Sequence, residues 1–268
     1  PTAMIMRRAS RVAIRRATVD ATAAPGIGIR SIRFSPTSSD MFTATGDGYV
    51  GVYRMSDTNS VCTFRGVDHN GPVHDAQLTA DNDRLVSCGE DTTVRVWDLE
   101  TGAATLVLYG HTAPVVSLDL SHDNPTTRCI TASLDGTARI WSLTDGSCLR
   151  TMTHSKALLA ARFFPSGLRV AVAGADHDCV VYNTRNGDLL KRFHGHVGAI
   201  HSIEVSDDEL FVFTGSSDTS IRMWDVSTSS CVRVLNGHKD WVMRLRVCMN
   251  KQVLLSLSRD CQLCVWNI

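Results

Sequence analysis

The chain has 268 residues, 43% of them hydrophobic, and a formal net charge of zero. No apolar run approaches the roughly 18 residues that a membrane-spanning helix needs, and a neutral chain has no overall pull toward nucleic acid. Nine cysteines stand singly at 62, 88, 129, 148, 179, 231, 248, 261 and 264. An odd set, falling mostly in strand-like segments, points to free buried thiols in a reducing compartment and not to a disulfide framework.

Residues 1–16 are set apart as a basic arm. Arg7, Arg8, Arg11, Arg15 and Arg16 come with no acid before Asp20, which leaves 22 basic against 27 acidic residues in the remainder. Such a run is expected to be solvated, or to add one outer strand; an arginine-rich, acid-poor start also matches a mitochondrial presequence, and it is where RNA or another polyanion would find its contacts. The chain opens on Pro1 and not on Met, so a fragment or a processed product is expected.

From about residue 26 the text repeats. The first copy carries strand-like segments near 29–34, 41–45 and 50–53 and closes at Tyr53. Later copies close at Trp97, Trp141, Tyr182, Trp224 and Trp266, with spacings of 44, 44, 41, 42 and 42. The clearest is residues 195–225. Gly195-His196 opens it, apolar alternation follows at Ile200, Ile203 and Val205, a polar turn lies at Ser216-Ser217-Asp218, and Trp224-Asp225 ends it. Alternation with period two, broken by turn residues, reads as short antiparallel strands. Between copies, turn chemistry at Thr101-Gly102, Asp145-Gly146 and Asn186-Gly187 introduces a fourth strand near 105–108, 148–152 and 189–193.

Copies of about forty residues, opening on Gly-His and closing on Trp-Asp, resemble WD40 repeats, each one blade of a β-propeller. The resemblance covers nearly the whole chain. It implies an all-β propeller over residues 17–268 with six visible blades of four antiparallel strands. The sequence stops after the third strand of blade six, so an N-terminal strand is expected to complete that blade, near 18–22 by strict alignment or 12–16 by better alternation. The ring then closes at six blades, or at seven if a further blade lies outside the chain or comes from a partner. Closure removes the sheet edges that would otherwise invite association.

His, Asp and hydroxyl residues recur together, but a nucleophile device is needed once and not six times. The resemblance implies instead a structural tetrad in which the Trp indole bonds a Ser or Thr hydroxyl, the hydroxyl a His, and the His the Asp of the tight turn. Complete sets are His69, Ser87, Asp91 and Trp97; His111, Thr131, Asp135 and Trp141; His196, Thr214, Asp218 and Trp224; and His238, Ser256, Asp260 and Trp266. Buried polar groups are costly unless each has a partner, and a satisfied network fixes the blade. Blade one has Pro25 for the His and ends in Tyr53, while blade four has Val172 and Tyr182 for the hydroxyl and the Trp. These two blades are expected to be less rigid.

No catalytic or metal site is expected. Cys261-Gln-Leu-Cys264 is a lone pair in a segment read as strand, where i and i+3 face opposite sides, and two buried thiols are the plain reading. His194-Gly-His196 is weak because His196 already has its tetrad role. No phosphate loop, nucleophile elbow or cofactor motif is present.

The resemblance also implies that partners bind on one face, at positions three and five residues after the Gly-His histidine and at the residue before the turn Asp. These positions give Arg30 in blade one, His74 and Glu90 in blade two, Val116 and Leu134 in blade three, Leu159 in blade four, His201 in blade five, and Trp241, Met243 and Arg259 in blade six. Trp241 stands where the other blades have Pro, Ala or Gly; Trp, Met and Arg are enriched at interfaces, and exposed aromatic patches mark contacts. A Trp that folds over its own blade is the plain alternative. A Trp-Asp-x-Arg box of the kind found in ubiquitin-ligase receptors is approximated only by Tyr182-Asn183-Thr184-Arg185. The expectation is a non-enzymatic scaffold in an intracellular multiprotein complex, cytoplasmic or nuclear, gripping a peptide or protein segment, without an obligate homo-oligomer, cofactor or membrane. The alternative is a ribonucleoprotein-associated propeller whose arginine arm contacts RNA.

Overall fold

Alternating apolar side chains separated by Gly, Asp and Ser turns give short strands, and the strands pair with their neighbours in sequence. The computed structural model describes residues 30–35, 37, 41–46, 48–55, 60–123, 125–248 and 253–268. Among these the regular structure is strand throughout, in six antiparallel sheets. The expected N-terminal strand and the arm at 1–16 lie outside the described residues.

Two compact units divide the chain. One holds residues 30–135 with Ile140–Leu149. Its first sheet is β1 (Ser31–Phe34), β2 (Met41–Thr45), β3 (Val50–Met55) and β4 (Ser60–Gly66), hydrogen-bonded in that order. The second is β5 (Val73–Leu78), β6 (Arg84–Gly89), β7 (Val94–Asp98) and β8 (Ala104–Leu108). The third is β9 (Val115–Leu120), β10 (Arg128–Ser133), β11 (Thr137–Ser142) and β12 (Cys148–Thr153), its last two strands shared between the units.

The other unit holds Arg150–Ile268 with Gly136–Arg139. It has β13 (Leu158–Phe163), β14 (Arg169–Gly174), β15 (Cys179–Asn183) and β16 (Leu189–Phe193), then β17 (Ile200–Val205), β18 (Phe211–Ser216), β19 (Ile221–Asp225) and β20 (Cys231–Leu235). The last sheet has three strands among the described residues, β21 (Val242–Cys248), β22 (Val253–Ser258) and β23 (Leu263–Asn267).

The core is made where one blade meets the next. Val86, Cys88, Val94, Val96 and Leu108 of blade two pack on Val115, Leu118, Leu120, Cys129 and Trp141 of blade three. Ala171, Ala173, Cys179, Val181 and Phe193 of blade four meet Ile200, Ile203, Val212 and Trp224 of blade five in the same way. The repeat therefore calibrates its own end positions. Leu257 and Leu263 of blade six, equivalent to Cys88 and Val94, are 47% and 64% exposed, and Ile32 and Phe34 of blade one are 53% and 59% exposed.

Within the first unit an ion pair spans the inner strands. Arg33 donates through Nε and Nη2 to Asp75 at 2.8 and 2.6 Å, and its Nη2 also reaches the Leu118 carbonyl at 3.0 Å. Both side chains are buried, so the fork of the guanidinium replaces solvent around the carboxylate. All nine cysteines are free, but Cys62, Cys148, Cys231 and Cys261 are exposed, which corrects the reading of a wholly buried set. Cys261 is not in a strand. It follows the turn Asp at φ 61°, and the equivalent positions Gly48, Thr92, Gly136, His177 and Thr219 share that left-handed conformation.

Candidate functional site

The four complete His, hydroxyl, Asp and Trp sets are hydrogen-bonded chains. His69 Nδ1 bonds Asp91 at 3.0 Å, its Nε2 meets Ser87 Oγ at 2.8 Å, and Trp97 Nε1 donates to that hydroxyl at 2.8 Å. His111 bonds Asp135 at 2.9 Å and Thr131 at 2.8 Å, with Trp141 donating to Thr131 at 2.9 Å. In blade five His196 bonds Asp218 at 2.7 Å and Thr214 at 2.8 Å, and Trp224 donates to Thr214 at 2.8 Å. Blade six repeats this with His238, Asp260, Ser256 and Trp266 at 3.1, 2.7 and 2.8 Å. Burial alone would raise Asp218, but hydrogen bonds from Ser220 and His196 outweigh it and hold the carboxyl at about 2. Asp260 is held at about 2 as well, against burial, by the Lys239 and Gln262 amides and by His238. Burial keeps His196 below its ordinary value despite the carboxylate beside it.

Blade four has a shorter chain than its missing residues suggest. His154 Nδ1 bonds Asp176 at 2.9 Å, and the Tyr182 hydroxyl meets His154 Nε2 directly at 3.1 Å. A phenol thus stands where the others place a hydroxyl and an indole, so blade four keeps a three-member hydrogen-bonded chain. In blade one Thr43 Oγ1 turns instead to the Ala76 carbonyl at 3.1 Å.

The tetrads brace a set of re-aimed side chains. In blades two, three, four, five and six the inner strand slips register by one residue, between Val73 and Asp75, between Val115 and Ser117, between Leu158 and Ala160, between Ile200 and Ser202, and between Val242 and Arg244. The skipped residues are His74, Val116, Leu159, His201 and Met243. A bulge leaves its extra residue out of the ladder and turns its side chain away. The other two positions meet through the backbone. The amide before each turn Asp donates to the carbonyl three residues after the His: Glu90 to Pro72 at 2.8 Å, Leu134 to Pro114 at 3.0 Å, Ser217 to Ala199 at 2.8 Å and Arg259 to Trp241 at 3.0 Å.

Two side-chain clusters result, one in each unit. In blade two His74 Nε2 meets Glu90 Oε2 at 2.7 Å. In blades five and six the Trp241 indole stacks on His201, centroids 5.2 Å apart and planes 16° apart, and the Arg259 guanidinium lies 4.4 Å from the indole centroid. Trp241 remains 39% exposed, Arg259 is exposed and Met243 half-buried. His201 Nε2 is buried without a partner. Burial, then the charges of Arg259 and Arg244, hold this imidazole neutral below its ordinary value. Arg30 and Leu134 are exposed, and Val116 and Leu159 are half-buried. Arg244 was not singled out by the repeat positions; its signal is an arginine in an inner strand where the equivalent residues are Asp75, Ser117, Ala160 and Ser202.

The family described as WD domain, G-beta repeat matches residues 59–98, 102–142, 187–225 and 229–267, over half of the chain. The chain belongs to the WD40 family. The matched segments end at the four blades with complete tetrads. WD40 proteins typically serve as protein-interaction scaffolds. Relatives of this WD40 chain include cilia- and flagella-associated protein 52 of Homo sapiens, 22% identical over 91% of this chain and 39% of that protein. Mitochondrial division protein 1 of Mycosarcoma maydis is 32% identical over 63% of this chain and 22% of its own length. The guanine nucleotide-binding protein subunit beta of Arabidopsis thaliana is 28% identical over 90% of this chain and 70% of its own length. The chain thus spans well under half the length of the first two.

Proposed function

We propose that this WD40 chain is a non-enzymatic scaffold of an intracellular multiprotein complex that holds a peptide or protein segment against the bulged ends of its inner strands, with Trp241 as the anchor. The observation that carries this reading is the stack of His201, Trp241 and Arg259. A large indole is kept partly in water, fixed by an imidazole and a guanidinium, at a position where Pro, Ala or Gly serves the other blades. Rigid aromatic and arginine side chains lose little entropy on binding and dominate interface energies. The tetrads beneath supply the stiffness. Affinity purification from the native cell with Trp241→Ala plus Arg259→Ala tests it. Loss of specific partners with an unchanged melting curve is expected; an unchanged partner set would overturn the assignment. The arginine arm supports a second reading, contact with RNA through Arg7, Arg8, Arg11, Arg15 and Arg16. RNA binding with a steep salt dependence that disappears on deleting residues 1–17 is its test.

A further inference from the structure

Resting on that reading of the Trp241 face, we infer that the segment it grips is acidic, its carboxylates received by Arg259 and Arg244 while an apolar side chain lies against the indole. Three observations carry this. First, the cations around the indole are unspent. Among the described residues neither Arg259, Arg244 nor the Lys239 ammonium enters an ion pair. Elsewhere in the same unit Arg162 and Arg246 share Glu204 at 3.5 and 3.1 Å. Second, the nearby acids are committed. Asp260 and Asp218 accept from the tetrad histidines and from backbone amides, and Asp240 accepts the Trp241 amide at 2.7 Å. The Arg259 and Arg244 guanidiniums thus keep N–H groups that no carboxylate among the described residues takes up in an ion pair. Third, the geometry pre-orders the fork. Stacking on the indole and the amide bond to the Trp241 carbonyl fix Arg259 at both ends, so its outward N–H groups are held for a carboxylate without further loss of rotamer freedom. His201 stacks on the indole as a neutral imidazole, which adds no negative charge to repel the ligand's carboxylates.

The protein carries its own probe. Four of its five tryptophans, Trp97, Trp141, Trp224 and Trp266, are 1–7% exposed, while Trp241 is open to a ligand. Intrinsic fluorescence is followed during titration with a twelve-residue peptide holding one Leu among glutamates, and with the same peptide carrying Gln or Lys for Glu. The Glu peptide is expected to shift the emission and to bind at least tenfold more tightly than the Gln peptide, with affinity falling as salt rises. Arg244→Ala and Arg259→Ala should each weaken it by about tenfold, and the double reversal Arg244→Glu plus Arg259→Glu should transfer binding to the Lys peptide, an outcome that a misfolded variant cannot produce. Equal binding of Glu and Gln peptides, no binding of either, or affinity unchanged in the Arg244→Ala and Arg259→Ala variants would overturn the inference. Should native partners be lost with Trp241→Ala plus Arg259→Ala while the Glu peptide fails to bind, the face stands and its acidic specificity falls.

Discussion

Tyr182 donates its phenol hydroxyl to His154 Nε2. The direction follows from the other ring nitrogen: Nδ1 faces the Asp176 carboxylate at 2.9 Å and so carries the proton, leaving Nε2 to accept. One phenol therefore does the work of two side chains in blade four, because its oxygen reaches deeper than an indole nitrogen would. Val172, fully buried, fills the place of the hydroxyl that is no longer needed. Tyr182→Phe should leave the imidazole acceptor buried and unpaired and cost about 1–3 kcal/mol. Val172→Thr with Tyr182→Trp rebuilds the four-member chain and should recover most of the melting temperature lost by Tyr182→Trp alone. Thermal unfolding of the three variants decides it.

The buried Arg33–Asp75 pair predicts a strongly non-additive response. Removing either partner leaves an uncompensated charge against the inner strands, at a cost of about 3–5 kcal/mol. Replacing both with apolar residues of similar size should cost far less than the sum of the two single changes. A double-mutant cycle by denaturant unfolding measures the coupling, and simple additivity would show that the bridge contributes nothing specific.

Stability should fall with acid in two stages. His196 and His201 sit below the ordinary value of 6.5 because of burial, so the unfolded chain takes up protons first and stability declines as pH drops through that value. His201→Gln should soften this first stage. Asp218 and Asp260, at about 2 against an ordinary 3.8, and Asp91 and Asp176, also lowered, contribute stability that is whole above about pH 4 and is lost as pH falls toward 2. Melting temperature measured from pH 8 to pH 2 would show a flat profile above 7 and the steepest loss below 4.

The turn after each Asp holds a left-handed residue, glycine in blades one and three and an L side chain in the others. A non-glycine residue there costs about 1–2 kcal/mol of backbone strain, and glycine's extra unfolded freedom takes back roughly half. Thr219→Gly should therefore raise stability by about 0.5–1 kcal/mol. Thr219 has φ 70°, while Gly136 at the equivalent position has φ 80°, so the substitution asks for no backbone movement.

Sheet boundaries were legible because alternation and turn chemistry are local. Segments expected at 105–108, 148–152 and 189–193 are strands at Ala104–Leu108, Cys148–Thr153 and Leu189–Phe193. The closing aromatics likewise located the sheets to which they belong. The bulges were not legible: an alternating pattern reads the same with one residue skipped, since the skip is set by the neighbouring strand. The contact of Tyr182 with His154 was missed because a repeat template scores Tyr as an absent Trp, not as a longer donor. Arg33 and Asp75 are 42 residues apart, and nothing in the spacing within one repeat pairs them. At the candidate site, Trp241 was conspicuous as an exception to the repeat. Its stacking partner His201 comes from another blade, a juxtaposition that spacing within one repeat cannot express.

Burial differs from blade to blade, and it sets which strands hold their amide protons longest. Blade two is wedged between buried clusters on both its faces, and so is blade five. In blade six, by contrast, Leu263 is 64% exposed where the equivalent Val94 is fully buried, and it forgoes about 1.5–3 kcal/mol that burial would give. Amide exchange should therefore be slowest in the strands of blade two and of blade five, which are packed on both faces.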